Sequence, residues 1–272
     1  MTTGAGTAGA GLRVASFNVH CGVDGWGRPF DVVAACRAVD ADVLVLQESW
    51  RPDDGAASTA GCVAAALGYH VVEEVLARGR LLRPDPSADA RWGPGIRRTV
   101  SSLRLDGGLP GRRTAARYRP SEAGSWGLAV LTRVPVDDVD TVGLGRLGRD
   151  RARRLAIRCR LAVDDRTLTV LGTHMSHLEQ GSPTQFRRLR SALPGPGEPG
   201  VVTGDMNLWG PAVVALLPGW RRAVTGRTWP ASRPHSQLDH LLVNRSAAGR
   251  DGAVLPLPGS DHLPVRATVT PA

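Results

Sequence analysis

The chain has 272 residues, 42% of them hydrophobic, and a formal charge of +9; all 34 of its basic residues are arginine. That length supports one large buried core, and no apolar run approaches the roughly 18 residues of a membrane-spanning helix. The basic balance favours a polyanionic partner only mildly, because Arg, Ala, Gly and Pro are abundant together, as in a GC-rich coding sequence.

Met1 to Gly11 is small and polar, with neither a charged n-region nor an apolar h-region. A disordered tail over 1–11 is expected ahead of a single domain over 12–272, in a cytoplasmic protein. Leu12 to Phe17 predicts a short strand that delivers Asn18. Asp31 to Val39 predicts a helix with Val32, Val33, Cys36 and Val39 on one face. Val43 to Leu46 has no polar alternation, the pattern of a strand buried on both faces, and it runs into Gln47-Glu48. Ser58 to Leu67 predicts a second helix closed by Gly68, and Tyr69 to Val75 the next strand. From Arg78 to Ser125 the pattern dissolves into Arg, Gly and Pro. An irregular insertion over 78–125 is expected there, either a substrate-facing lid or a solvated loop.

Gly127 to Thr132 predicts a buried strand. Leu155, Ile157, Cys159, Leu161 and Val163 alternate with Ala156, Arg158, Arg160 and Ala162, a strand with one face on the core. Thr167 to Thr173 follows and ends at His174. Ser182-Pro183-Thr184-Gln185 predicts a helix start with Ser182 as N-cap, and Phe186, Leu189 and Leu193 as the inner stripe. Val201 to Thr203 feeds Gly204-Asp205, Pro211 to Leu217 is expected to be a short helix, and Leu238 to Val243 and Leu263 to Val269 are the closing strands. Strands outnumber helices, and hairpins mix with crossovers, which argues for two sheets packed face to face with helices outside. Cys21, Cys36, Cys62 and Cys159 lack Cys-x-x-Cys spacing and are expected to be small buried residues, not disulfide partners.

Several of these strands end in groups that can do chemistry: Phe17-Asn18, Gln47-Glu48, Thr173-His174 and Gly204-Asp205-Met206-Asn207. Leu238-Asp239-His240 and Ser260-Asp261-His262 place the same residue types beside the closing strands. Each alone reads as a turn or cap. Polar residues that cap several strands at one sheet edge can converge in space on a single site. Oxygen ligands such as Asn18, Glu48 and Asp261 suit a hard cation, usually Mg²⁺, which keeps several waters and favours phosphate. His and Asp beside it suit water activation and charge stabilisation, so the parts read as metal-assisted hydrolysis of a phosphate ester.

The order of these stretches, with Gly127-Leu128-Ala129-Val130-Leu131-Thr132-Arg133 between them, resembles the endonuclease/exonuclease/phosphatase superfamily from about Leu12 to about Thr270. The resemblance implies an α/β fold of the deoxyribonuclease I type: a four-layer α/β sandwich, two packed mixed β-sheets flanked by helices. It implies Glu48, Asn18 and Asp261 as metal residues for Mg²⁺, with Mn²⁺ as substitute, and His262 as proton shuttle oriented by Asp239. Asp205 and Asn207 would orient water and hold a phosphate oxygen, and His174 would stabilise charge or assist the leaving group. Which of Asp205 and His262 takes the proton stays open at this stage. His177, His235 and His240 are given no catalytic role.

The leading expectation is a phosphodiesterase or nuclease acting on a phosphate-ester substrate as a monomer, with nucleic acid ahead of membrane lipid as partner. A phosphomonoesterase, a sphingomyelinase-like phospholipid diesterase and a non-enzymatic binder of a phosphorylated partner are the alternatives. The binder is disfavoured because every aligned catalytic position carries the family's residue type.

Overall fold

The apolar runs divide by which face they bury. A computed structural model describes residues 11–84, 103–106, 118–148, 150–163, 165–177 and 182–272. In it β1 (Leu12–Asn18) lies parallel to β2 (Val43–Pro52), with Val14 opposite Val43 and Asn18 opposite Gln47. Alternate residues of these strands go to opposite sides. Val14, Val43 and Val45 turn inward to the second sheet, while Ala15, Phe17, Leu44 and Leu46 turn outward. The outward set packs under α1 (Val32–Val39) and α2 (Thr59–Leu67) through Cys36, Val39, Val63 and Ala64. Asp31 and Ser58 cap the two helices by accepting from Ala34 N and Gly61 N, and Gly68 ends the second in the left-handed region.

β3 (His70–Pro84), β4 (Leu103–Leu105), β5 (Tyr118–Thr132), β12 (Ala247–Val254) and β13 (Val265–Pro271) complete a sheet ordered β12-β13-β1-β2-β5-β3-β4. The second sheet runs β10-β11-β9-β8-β7-β6. Its strands are β6 (Val136–Gly145), β7 (Arg154–Val163), β8 (Arg166–His174), β9 (Gly200–Asp205), β10 (Arg221–Arg222) and β11 (Asp239–Val243). Its outer face carries Ala156, Leu171, Val202 and Leu242 against Phe186 and Leu189 of α3 (Ser182–Arg190) and Val213 of α4 (Gly210–Leu216). Helix, sheet, sheet, helix is the four-layer α/β sandwich expected. Trimming a central contact such as Ile157 or Leu128 to Ala should cost about 2–5 kcal/mol.

Several local expectations change. The ladder of β3 with β5 runs from His70–Thr132 to Pro84–Tyr118, so the ends of the supposed irregular insertion are strand. The ladder slips between Val75 and Ala77, and the buried, paired Gly79 and Gly124 bring no apolar side chain to the inner face, so no alternation shows in the sequence there. Residues 85–102 and 107–117, including Trp92, Arg97, Arg98, Arg112 and Arg113, lie outside the described residues. The edge strands β6, β10 and β12 carry little apolar signal and have no counterpart among the predicted elements. Ser182 is the first helical residue and not a cap with a bonded hydroxyl: its Oγ has no hydrogen-bond partner among the described residues, and Gln185 bonds Ser176 instead. All four cysteines are free, and Cys62 is exposed, on the outer side of α2. Among the described residues no helix is long and apolar enough to cross a membrane.

Candidate active site

Register alone brings three of the candidate groups side by side. β8 and β9 are parallel with His174 opposite Asp205; β9 and β11 are antiparallel with Asp205 opposite Asp239. The three residues therefore form a row across the end of the second sheet. Gly204 makes the row tight: with φ +150°, a Cβ there would sit 1.9 Å from Thr173 O. The first sheet supplies Asn18 from the end of β1 and Glu48 from a bulge in β2, where the register slips between Gln47 and Ser49 and Glu48 takes φ +60°. His20, Cys21 and Asn207 also have positive φ. Non-glycine residues held in this region cluster at functional sites.

The two sheet edges meet through Asn18. Its Nδ2 donates to Glu48 Oε1 and to Asp205 Oδ2, each at 3.1 Å, and its Oδ1 accepts from His20 N at 3.0 Å. Asp205 Oδ2 also lies 3.5 Å from His174 Nε2 and 3.9 Å from His262 Nε2. His262 Nδ1 is 2.8 Å from Asp239 Oδ2. Asn207 lies beyond the end of β9, outside its strand alternation. The chain turns, Asn207 N donates to Asp205 Oδ1 at 2.9 Å, and the side-chain amide donates to Met175 O at 2.9 Å and lies 3.4 Å from His174 Nε2. Asp261 accepts from Trp229 Nε1 at 3.3 Å and faces His20 Nδ1 at 3.3 Å. Ser260 Oγ donates to Asn18 O at 2.6 Å and ties the last motif to the first.

Burial gives the three central groups different charge preferences. Burial pushes the Asp205 carboxyl up to about 7, against the His262 charge that favours ionisation and with Asp239 adding to the rise. Burial opposes charge on His262, but Asp239 and Asp205 outweigh it and raise the imidazole well above its ordinary value. His174 is lowered well below that value by burial and by the Arg154 cation. His240, given no catalytic role above, is buried, bonds Leu208 O through Nε2 at 2.8 Å and is pushed by burial down to about 4.

The donor set fits a hard divalent ion: Glu48, Asp205, Asp239 and Asp261 offer carboxylate oxygens at one edge, and Asp239 Oδ1 is buried without a hydrogen-bond partner among the described residues. Ligand atoms of Asp205, Asp239 and His262 all lie within 4.8 Å of one another, a geometry that can also hold a metal. The close Asp239–His262 bond makes that pair more apt for proton handling. All eight sequence-predicted residues, Asn18, Glu48, His174, Asp205, Asn207, Asp239, Asp261 and His262, lie at the edge where the sheets meet. Sequence reasoning missed His20, Trp229 and a buried Asp150–Arg154 pair beneath His174. The last is hidden among five arginines between 146 and 154, and nothing in the sequence marks one of them as buried.

A model of the Endonuclease/Exonuclease/phosphatase family matches residues 15–262. No curated protein sequence matches the chain. Among solved structures, an endonuclease/exonuclease/phosphatase from Beutenbergia cavernae DSM 12333 superposes with TM-score 0.65 at 21% identity, covering 96% of this chain and 72% of that one. The human Nocturnin catalytic domain with bound sulfate gives 0.62 at 16%, covering 97% and 96%. A mannosyl-6-phosphatase from Bacteroides thetaiotaomicron VPI-5482 gives 0.58 at 13%, covering 95% and 99%. At these identities the structures establish a shared fold.

Proposed function

Because the chain belongs to the endonuclease/exonuclease/phosphatase family, whose members hydrolyse phosphate esters, we propose that it is a Mg²⁺-dependent phosphodiesterase with a nuclease-type substrate. The observation that carries the reading is the position of Asp205 Oδ2, which lies within 4 Å of Asn18 Nδ2, His174 Nε2 and His262 Nε2 at once. A structural carboxylate would be satisfied by one or two fixed donors. This one sits among groups that bind metal, hold phosphate and move protons.

Family members are typically divalent-metal dependent. Glu48 and Asn18 would hold Mg²⁺ or Mn²⁺, with Asp261 joining directly or through water; when bound, the ion polarises the phosphate and neutralises developing charge. Asn18 presents its amide nitrogen to the carboxylates, so liganding by its oxygen requires the side chain to turn over. Asp205, with its carboxyl lifted toward neutrality, is placed to take the proton of the attacking water. His262, charged against Asp239, donates through Nε2 and stabilises the phosphoryl group. His174 and the Asn207 amide, 3.4 Å apart, hold oxygens on the other side of Asp205.

The test is a screen of purified protein with Mg²⁺ and Mn²⁺ against plasmid DNA, RNA, bis-p-nitrophenyl phosphate, p-nitrophenyl phosphate and sphingomyelin. The diesterase reading expects turnover of a diester, lost in Asp205→Asn. Turnover confined to the monoester would replace it with a phosphatase.

A further inference from the structure

The two site histidines stand on opposite supports. Behind His262 is a carboxylate, Asp239, bonded to Nδ1. Behind His174 is a cation. Arg154, at the start of β7, donates through Nη1 to His174 O at 3.4 Å, and its guanidinium lies 5.0 Å from the centre of the Trp126 ring. Trp126 in turn packs on the His174 imidazole with ring centres 5.0 Å apart. Arg154 and Asp150 are both nearly wholly buried, with Nε 2.7 Å from Oδ2. Asp150 also accepts from Ser176 Oγ and Ala152 N, and Gln185 fastens Ser176 from α3.

A buried ion pair is poor value for stability, since desolvation offsets the attraction. Its place under a site histidine is what needs explaining. His174 Nε2 faces one acceptor, Asp205 Oδ2 at 3.5 Å, and one donor, the Asn207 amide nitrogen at 3.4 Å, whereas Nδ1 has no hydrogen-bond partner among the described residues. A neutral imidazole carries one hydrogen, and only Nε2 has an acceptor within reach. A carboxylate behind the ring would draw that hydrogen to Nδ1; a guanidinium, which has no acceptor, leaves Nδ1 bare.

We propose that Arg154, anchored by Asp150 and stacked on Trp126, is a positioning residue that holds His174 as an Nε2–H donor aimed into the site. This rests on the proposed role of His174 as a contact to the phosphoryl group. His174 is then a fixed donor, and proton transfer is left to Asp205 and His262.

The test uses the full chain with ¹⁵N-labelled histidine and bis-p-nitrophenyl phosphate as substrate, with His174→Ala identifying the His174 signals. In the wild type, Nδ1 of His174 should show the shift of a bare ring nitrogen and Nε2 that of a protonated one. The double variant Asp150→Asn/Arg154→Met removes both charges together, and its His174 signals should move toward the average of the two tautomers. Its kcat should fall on the order of tenfold to a hundredfold with KM unchanged, and it should add nothing to the loss in His174→Ala. Arg154→Lys keeps the charge without the flat stacking face and should fall between. Unmoved His174 signals with unaltered kcat in these variants, or losses that multiply with that of His174→Ala, overturn the proposal. If the double variant does not fold, Arg154→Lys decides by the same two readouts. Full activity of His174→Ala would instead overturn the role of His174, while the nitrogen shifts still decide whether Arg154 sets its tautomer.

Discussion

His262 Nδ1 lies 2.8 Å from Asp239 Oδ2, and the pair is buried at the sheet edge although 23 residues separate the two in sequence. The carboxylate fixes the ring by one nitrogen and leaves Nε2 facing Asp205. His262→Ala should cost on the order of a thousandfold in rate, and Asp239→Asn a sizeable part of that, because an amide can hold the wrong tautomer. Rates of the single and double variants, with circular dichroism as a check on folding, measure the coupling. Losses that multiply would mean the residues act separately.

Glu48 sits on a strained bulge at the end of a wholly buried run, so its carboxylate is held in place by backbone and not by chance. Activity should vanish with EDTA and return with Mg²⁺ or Mn²⁺. Glu48→Gln should raise the Mg²⁺ concentration needed for half-maximal activity on the order of tenfold or more, with thermal melting of the metal-free protein little changed. Full activity of the metal-free wild type would remove the metal from the mechanism.

The site's residues were legible because strand ends are legible. An apolar run such as Val43 to Leu46 announces a buried strand, and Glu48 after it has only one edge to occupy. The supports were not. Arg154 is one of five arginines in nine positions, and only packing against Trp126, 28 residues away in the chain, selects it. Alternation also fails where an edge strand buries almost nothing, as in β6, and where bulges and buried glycines interrupt it, as in the outer lengths of β3 and β5. Asn207 follows β9 with a positive φ that aims its side chain at Met175 and His174, a local backbone choice that residue identity does not dictate.

The His262 charge lowers the Asp205 carboxyl from where burial alone would set it. Removing a neighbouring cation disfavours the carboxylate, so His262→Gln should move the Asp205 titration to higher pH. Carboxyl ¹³C shifts of the metal-free protein report it directly. A titration that stays in place or moves to lower pH would show that the two groups do not interact as their 3.9 Å separation requires.

If Arg97, Arg98, Arg112 and Arg113 grip a polyanion, replacing all four with Ala should raise KM on a polymeric nucleic acid. It should also flatten the salt dependence, because fewer counterions are released. Turnover of a small diester should hardly change. An unchanged salt slope would make these arginines compositional background.

His240 is wholly buried beside the site, bonds Leu208 O, and is pushed by burial down to about 4. An unfolded chain binds the imidazole proton near pH 6.5, well before the folded one does. The neutral ring's contribution to stability is therefore complete above about pH 6.5 and is lost as pH falls from there toward about 4. That gap is worth about 3 kcal/mol. His174 is lowered for the same reason and adds to the acid weakness, whereas His262, raised by Asp239 and Asp205 against its own burial, stabilises at low pH and loses that contribution as pH rises. His240→Gln keeps a donor for Leu208 O and does not titrate. In urea unfolding of the metal-free protein between pH 7.5 and 4.5, the variant should lose less stability on acidification than the wild type, by up to about 3 kcal/mol. Parallel pH dependences would place the acid sensitivity in His174 or elsewhere and leave His240 without a part in it.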